Sequence, residues 1–483
     1  MKNILKKITL LSGAAILSYS CDSVDFGNVN DNPNGPTAAV TSQLLTQAEK
    51  TISSIGTNMT GILYTQQITE GQYPGESRYS TLTYSYNDYY VGPIQNLNEI
   101  IKLNTDEATM DEAGNYGDNG NQVAVAKLIR AYILQFMTDR WGGLPWSEAF
   151  QGIDSPQPKF DTQEELYNTM FAEVEEALDL IDLDANGPDG DILFSGSMDR
   201  WVIFANSLKM TLAIRISHVN PTLAKSKFEE VIASGNYIDS NADNIEFPYT
   251  SDDASDSPWH DRFKTREDYI VAETMVEALR SNLDPRLFKY AEPARDSVYA
   301  NPAFPGGIDA AYVGAPDGKV NGNVPDYSFP PAIIIYDDNT YPTPIFTAAQ
   351  MKLTMAEAAL NGWNTGSDAA TLFEEGIAAS MDYWGVDAAD IDDYLASHTT
   401  VDIDAIAYEK WIALYMNGPE AWAEWRRLDA PALTPSEFAA DPRIPVRHAY
   451  SATVESANEE NYNAIIAIQG TDDLHTKLWW DIH

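Results

Sequence analysis

Six histidines, 72 carboxylates and one cysteine are the groups in this 483-residue chain that could do chemistry. Two carboxylates at a suitable separation suffice for a glycoside hydrolase, but so many acids always contain such a pair, and the count points to no reaction. No H-E-x-x-H, G-x-S-x-G, phosphate-binding loop or G-x-G-x-x-G string occurs. His218, His260, His398, His448, His475 and His483 show no metal-ligand spacing, and no cysteine beyond Cys21 could complete a zinc site. The acidic stretch DLDANGPDGDILFSG (182–196) has a calcium-like composition. Its glycine and ligand positions miss the EF-hand register, so it reads as a surface turn. The residues therefore suggest no catalytic group, no metal site and no cofactor.

Binding remains, together with the elements that must hold a binding surface. The formal charge is −42 and 44% of residues are hydrophobic, enough for one large core or two modest ones. Such acidity argues against a nucleic-acid partner, which needs clustered Lys and Arg, and reads as a well-solvated surface. Residues 161–183 are amphipathic: Leu166, Met170, Val174, Ala177, Leu178 and Ile181 share a face, and Asp161 or Thr162 can cap the helix. A helix also begins near Thr41, with Leu44, Leu45, Ala48 and Ile52 on one side. The pattern returns over 201–219, where Pro221 opens the next helix, and over 347–384. Residues 405–428 read as two helices broken at Gly418-Pro419, with Arg426 and Arg427 suited to the negative end of the second. Small residues such as Ala124, Ala131, Ala205 and Ala213 allow close helix pairs, without a strict 34-residue period.

Two stretches break the helical pattern. Residues 236–345 gather Pro, Gly, Asn and Asp around one clear helix (268–280); a loop this long in a compact domain is functional or carries strands of its own. Residues 70–92 hold Tyr73, Tyr79, Tyr84, Tyr86, Tyr89 and Tyr90 among Thr and Ser, a composition that suits some strand.

Residues 1–20 read as an export signal, with Lys2, Lys6 and Lys7 ahead of the short apolar run ITLLSGAAIL (8–17). Cys21 follows it. LSYSC resembles a lipobox, which makes Cys21 the lipidated N-terminus of the mature chain; cleavage after Ser18-x-Ser20 by an ordinary signal peptidase is the alternative. Residues 21–37, rich in Asn, Asp, Gly and Pro, read as a tether, with Asp22 and Asp25 loosely resembling a surface-export signal.

KWIALYMNGPEAWAEWRRL (410–428) resembles the C-terminal signature of the SusD/RagB family, in its SusD-like second subgroup. Four more stretches match in the same order: FMTDRWGGLPWSEAF (136–150), MDRWVIFANSLKMTLAIRISHVNP (198–221), MKLTMAEAALNGW (351–363) and NYNAIIAIQGTDDLHTKLWWD (461–481). The resemblance implies a mainly α fold, a superhelical scaffold of tetratricopeptide-like helix pairs with a loop-rich ligand portion and a few short strands. It implies one domain over 38–483, with scaffold mainly at 38–60, 94–235 and 347–430 and ligand loops mainly at 70–92 and 236–345. By the same resemblance the chain is a lipid-anchored, surface-exposed outer-membrane protein. It would bind an oligosaccharide or polysaccharide without cleaving it and deliver it to a SusC-like TonB-dependent transporter. Peptide cargo, as in the RagB branch, is the alternative, and a helical-toroid glycoside hydrolase a more distant one.

A pyranose offers an apolar C–H face and a rim of hydroxyls, so a sugar site needs an aromatic platform flanked by polar groups, each platform adding about 0.5–1.5 kcal/mol. Trp259, preceded by Pro258 in the polar stretch 246–263, is the first candidate, with Tyr249 and His260 beside it. Tyr336 and Asp338 (from 324–342) and Tyr86 and Tyr89 complete the set; the competing expectation is that these rings pack against neighbouring helices. Trp141, Trp146, Trp201, Trp363, Trp411, Trp422, Trp425, Trp479 and Trp480 lie within the family strings and read as scaffold, with Trp384 undecided.

Overall fold

The computed structural model describes residues 39–295 and 308–483. The expected signal (1–20), the lipidation at Cys21 and the tether (21–37) lie outside them. Residues Thr41–His483 form one compact unit. Its long helices are α1 (Thr41–Gly56), α2 (Gln95–Thr105), α3 (Asn119–Trp141), α4 (Gln163–Leu180), α5 (Met198–Arg215), α6 (Pro221–Ser234), α7 (Glu273–Ser281), α8 (Ala348–Leu360), α9 (Ala369–Tyr383), α10 (Ala388–Ser397), α11 (Ile403–Ala413), α12 (Gly418–Leu428) and α13 (Glu459–Gln469).

Helices adjacent in sequence pack as pairs: α3 with α4, α5 with α6, α8 with α9 and α11 with α12. Helix α3 is buried along almost its whole length, from Asn121 to Trp141, because α1, α2, α4 and α5 all pack on it. Local chemistry sets the boundaries. Thr162 starts α4 with a capping box, its hydroxyl accepting from the Glu165 N–H while the Glu165 carboxylate accepts from the Thr162 N–H. Asp161, the alternative cap, instead accepts from the backbone N–H groups of Trp146 and Ser147. Pro221 stands at the start of α6 and Pro419 at the start of α12, where a missing N–H costs nothing. Glycine is needed on both sides of one crossing: a Cβ on Gly61 would sit 2.1 Å from the Gly418 carbonyl oxygen and a Cβ on Gly418 2.5 Å from the Ile62 backbone nitrogen, so the short helix Met59–Tyr64 meets α12 only with glycine at these positions.

Strands are short and pair two by two. Ile68–Glu70 runs antiparallel to Tyr269–Val271, and Ile245–Phe247 to Thr343–Phe346. Leu144–Pro145 pairs antiparallel with Phe160–Asp161, and Thr83–Tyr84 parallel with Ala449–Tyr450. The segment expected as a helix over 268–280 is divided, its first residues forming strand before α7 begins at Glu273. The apolar interior has a large cluster under the helix pairs and a second under the loop-rich part, the latter including Ile62, Val271, Leu279, Ile335 and Trp411. Trp141, Trp146, Trp201, Trp363, Trp411, Trp422 and Trp480 are buried, and Trp425, Trp479 and Trp384 are half-buried.

One reading holds with an addition and one changes. Arg426 and Arg427 stand in the last turn of α12, as expected, and both are buried. Arg426 donates to the carbonyls of Asp139 and Val446, and Arg427 holds Glu357 through both Nη atoms at 2.6 Å each. The stretch 182–196, by contrast, is not wholly a surface turn. Asp191 is buried and accepts from the N–H groups of Leu193, Phe194 and Gly196 and from the Trp201 indole, which pins the loop to α5. No helix among the described residues is long and apolar enough to cross a membrane.

Candidate functional site

Pairing of Ile68–Glu70 with Tyr269–Val271 brings two turns side by side, 71–78 and 264–268, and the Gly71 N–H donates to the Asp268 carbonyl at 2.6 Å. The first turn is shaped by its own side chains: one Glu70 carboxylate oxygen accepts from the backbone N–H groups of both Glu76 and Ser77. Tyr73, followed by Pro74 and Gly75, is left 66% exposed. Its ring lies 4.8 Å from the Arg266 guanidinium, which is itself paired with Asp268 at 2.6 Å.

The third part of this face is a wide helical turn, Ile333–Asp337, packed on the short helix Pro258–Phe263. Tyr336, 38% exposed, stands edge-on to Phe263 and donates its hydroxyl to Glu267 at 2.7 Å. Arg295 completes the group, 2.8 Å from the same Glu267 oxygen and stacked 4.4 Å over Phe329. Burial alone would raise the Glu267 carboxyl; the bonds from Tyr336 and Arg295 outweigh it and hold the group ionised below its ordinary range. Burial first, then the hydrogen bond to Glu267 and its charge, push the Tyr336 phenol up against the opposing pull of Arg295, so it remains a hydrogen-bond donor. Consecutive residues Arg266 and Glu267 thus each carry one exposed tyrosine.

His260 and Asp338 belong to this region. The His260 Nδ1 lies 3.3 Å from Asp256, which Lys264 also holds at 2.7 Å. Asp338 accepts from the Thr340 hydroxyl and N–H, bonds that lower its pKa, with the nearby His260 adding to the effect. His260, Tyr336 and Asp338 are therefore brought together, as half-buried or exposed groups around the Pro258–Phe263 helix.

The remaining candidates are placed elsewhere. Trp259 is only 4% exposed and packs in the second apolar cluster with the Arg262 guanidinium 5.0 Å from its ring. Its surroundings read as an open polar loop, whereas Ser257-Pro258 starts a helix that turns the indole inward. A platform for a sugar must have an open face, and Trp259 has none. Tyr249 bridges the Ser53 and Thr343 hydroxyls at 2.7 and 2.8 Å, a structural tie between α1 and the strand Thr343–Phe346. Tyr86 and Tyr89 pack near Trp141, apart from the turns just described. Sequence reasoning placed Tyr73 in the tyrosine cluster of 70–92 without choosing it as a contact, and passed over Arg266, Glu267 and Arg295. Tyr-Pro-Gly is a turn signal that leaves little to bury a ring; the charged residues carry no local signal because their partners come from distant segments.

The face holds ionised groups that are already paired and aromatic rings with open sides, an arrangement for holding a ligand by stacking and hydrogen bonds. Among the described residues no three acidic, His or Cys side chains converge as a metal site.

A family model described as SusD-like, starch-binding and associating with outer membrane matches residues 33–451. Among solved structures, a chitin-binding protein is 25% identical over 92% of this chain and 100% of its own, with a TM-score of 0.77. A SusD homologue from Bacteroides fragilis aligns at 21% identity over 92% and 100% of the two chains, TM-score 0.77. A chitin-binding SusD homologue from Flavobacterium johnsoniae aligns at 20% over 92% and 99%, TM-score 0.75. At the two lower identities the likeness is one of fold. Curated proteins gave no significant match. The family match over most of the chain agrees with the stacked helix pairs and the five ordered sequence strings, and on that ground this chain belongs to the SusD-like family.

Proposed function

We propose that this protein binds a glycan on the face formed by the turns 71–78, 264–268 and 333–338, without cleaving it. The observation that carries the reading is the pair of exposed tyrosines, Tyr73 and Tyr336, set on neighbouring residues of one turn amid paired charges. Such rings cover the C–H face of a pyranose, and Glu267, Arg266 and Arg295 bond its rim. The 25%-identical structural relative described as chitin-binding supports a saccharide ligand, and the family description supports an outer-membrane setting. The lipid anchor at Cys21 and delivery to a SusC-like TonB-dependent transporter extend the same reading.

The test is retardation of the soluble chain starting at Asp22 in native gels containing neutral or anionic polysaccharides, with a peptide mixture as competitor. One glycan class should retard the parent, and Tyr73→Ala and Tyr336→Ala should each weaken binding by about 2- to 13-fold, the equivalent of about 0.5–1.5 kcal/mol. Binding that only peptides compete for would replace the glycan with a peptide cargo. Release of reducing ends would overturn the non-catalytic reading.

A further inference from the structure

A second concave surface lies on the scaffold and shares no residue with the loop face. It is an open groove of about 280 Å³ between the Tyr86–Tyr90 turn, the 145–160 segment and the 453–458 helix. Tyr86, Tyr90, Phe160, Pro145, Pro156 and Pro158 make its walls. Phe150, 37% exposed, extends them by stacking on Tyr90 at 5.8 Å. In a chain of net charge −42, no charged side chain among the described residues lines this groove.

Its polar groups are few, and two are unused. Tyr86 is only 6% exposed, yet its hydroxyl has no hydrogen-bond partner among the described residues; the neighbouring Tyr90 hydroxyl, by contrast, is committed to the Pro145 carbonyl. The Tyr86 oxygen is not among the sealed, unpartnered polar atoms of the interior, so it opens onto the groove, where a ligand group can take the place of water. The Asn87 side-chain amide, at the groove edge, likewise makes no hydrogen bond among the described residues. Asn458 is occupied, donating to the Pro158 carbonyl at 2.6 Å and so fixing the proline wall.

We infer that this groove is a second saccharide subsite, taking one or two neutral pyranose units of a glycan. The half-buried rings of Tyr90 and Phe160 and the proline walls match the C–H faces of the sugar, the Tyr86 hydroxyl and Asn87 amide match its rim, and the uncharged lining selects against uronic acids and charged peptides. The volume lies just below the usual range of ligand pockets, about 300–1,000 Å³, as suits a subsite for one or two sugar units. The inference rests on the glycan-binding reading but concerns a different surface.

Calorimetry with maltohexaose, cellohexaose, laminarihexaose and chitohexaose on the soluble chain from Asp22 tests it, using the parent and the Tyr73→Ala/Tyr336→Ala pair. For one of these sugars the paired variant should retain a weaker class of site. Tyr86→Phe, which removes only the hydroxyl, should weaken that class by about threefold to tenfold. Ala457→Arg, which plugs the groove from an exposed position, should abolish it. Binding lost in the paired variant and untouched by Tyr86→Phe and Ala457→Arg would overturn the groove and leave the loop face standing. Binding untouched in the paired variant and abolished by Ala457→Arg would support the groove and overturn the loop face. Absence of binding to all four sugars would overturn the groove, whereas retardation by polysaccharides judges the loop face separately.

Discussion

Trp259 is enclosed by apolar contacts, while its indole N–H finds no acceptor among the described residues. The ring therefore acts through volume. Trp259→Ala should cost about 3–5 kcal/mol of stability by opening a cavity, with a large fall in Tm. Trp259→Phe, which keeps an aromatic ring and removes the orphaned N–H, should lie much closer to the parent. A Trp259→Ala variant that melts like the parent and loses only ligand would restore Trp259 as a contact residue. Glu49 offers a second residue-scale test. It is fully buried beside Asp191, and burial first, then the Asp191 charge, raise its pKa well above the ordinary value. One oxygen accepts from the Ile192 N–H and the other has no donor, the pattern of a protonated carboxyl. A raised folded-state pKa means that the unfolded chain loses its proton first. Stability from this group is complete below the ordinary Glu value, near about 4.3, and falls as pH rises toward the folded value, by at most about 1.4 kcal/mol per unit. Glu49→Gln keeps the acceptor and removes the titration. Thermal melts between about pH 5 and 8 should show a smaller loss of stability with rising pH than the parent; an unchanged slope would refute the assignment.

At the scale of elements, the turns of the loop face are held by bonds to structures that are themselves anchored. The 282–294 segment is locked to the scaffold by Arg286, buried, which binds Asp284 at 2.6 Å, Glu409 of α11 at 2.7 Å and the Ser380 hydroxyl of α9 at 3.1 Å. Tyr394 of α10 adds a hydroxyl to Glu409 at 2.8 Å. A region dense in Pro, Gly and Asn thus presents fixed loops because its charged residues reach into the helix pairs. Helix starts are set more locally, and the capping box of α4 is the clearest. Thr162→Ala removes the side-chain acceptor of the Glu165 N–H and should cost about 0.5–2 kcal/mol, measured as a downward shift of the denaturant midpoint with an unchanged slope. Because Thr162 also lines a cleft near Trp479, glycan binding at the loop face serves as the control and should stay at the parental level.

For the molecule as a whole, one buried ionic network ties the helix pairs together. Arg427 of α12 binds Glu357 of α8 and Glu424, and Lys410 of α11 holds both carboxylates at 2.6 and 2.8 Å. Arg215 of α5 continues it to Glu420 and, at 3.8 Å, to Asp139 of α3. Burial alone would raise Glu357 and Glu424; the Arg427 and Lys410 charges outweigh it and keep both ionised below the usual range. Removing one partner leaves buried charge uncompensated, so Arg427→Met should destabilise by about 3–5 kcal/mol, read by chemical denaturation. A loss below about 1 kcal/mol, the level of an exposed pair, would show that the network is not needed to hold the pairs.

The helices, their boundaries at Thr162, Pro221 and Pro419, and the family were legible in the sequence, because periodicity, caps and proline act over a few residues. The scaffold tryptophans were legible through the family strings that hold them; Trp141, Trp201, Trp411 and Trp422 stand on helices, whereas Trp146, Trp363 and Trp480 do not. Only tertiary structure decided which polar and aromatic residues face outward. Trp259 and Tyr336 both stand among Pro, Asp and Ser, yet one is turned into a core by a short helix and the other is held at the surface by Glu267, 69 positions away. Arg427 and Arg266 differ in the same way: a guanidinium is buried or exposed according to whether distant segments supply carboxylates to enclose it. Contacts of that range have no local pattern, so the acid and aromatic content of the chain permitted many binding faces and the packing of loops on helix pairs selected among them.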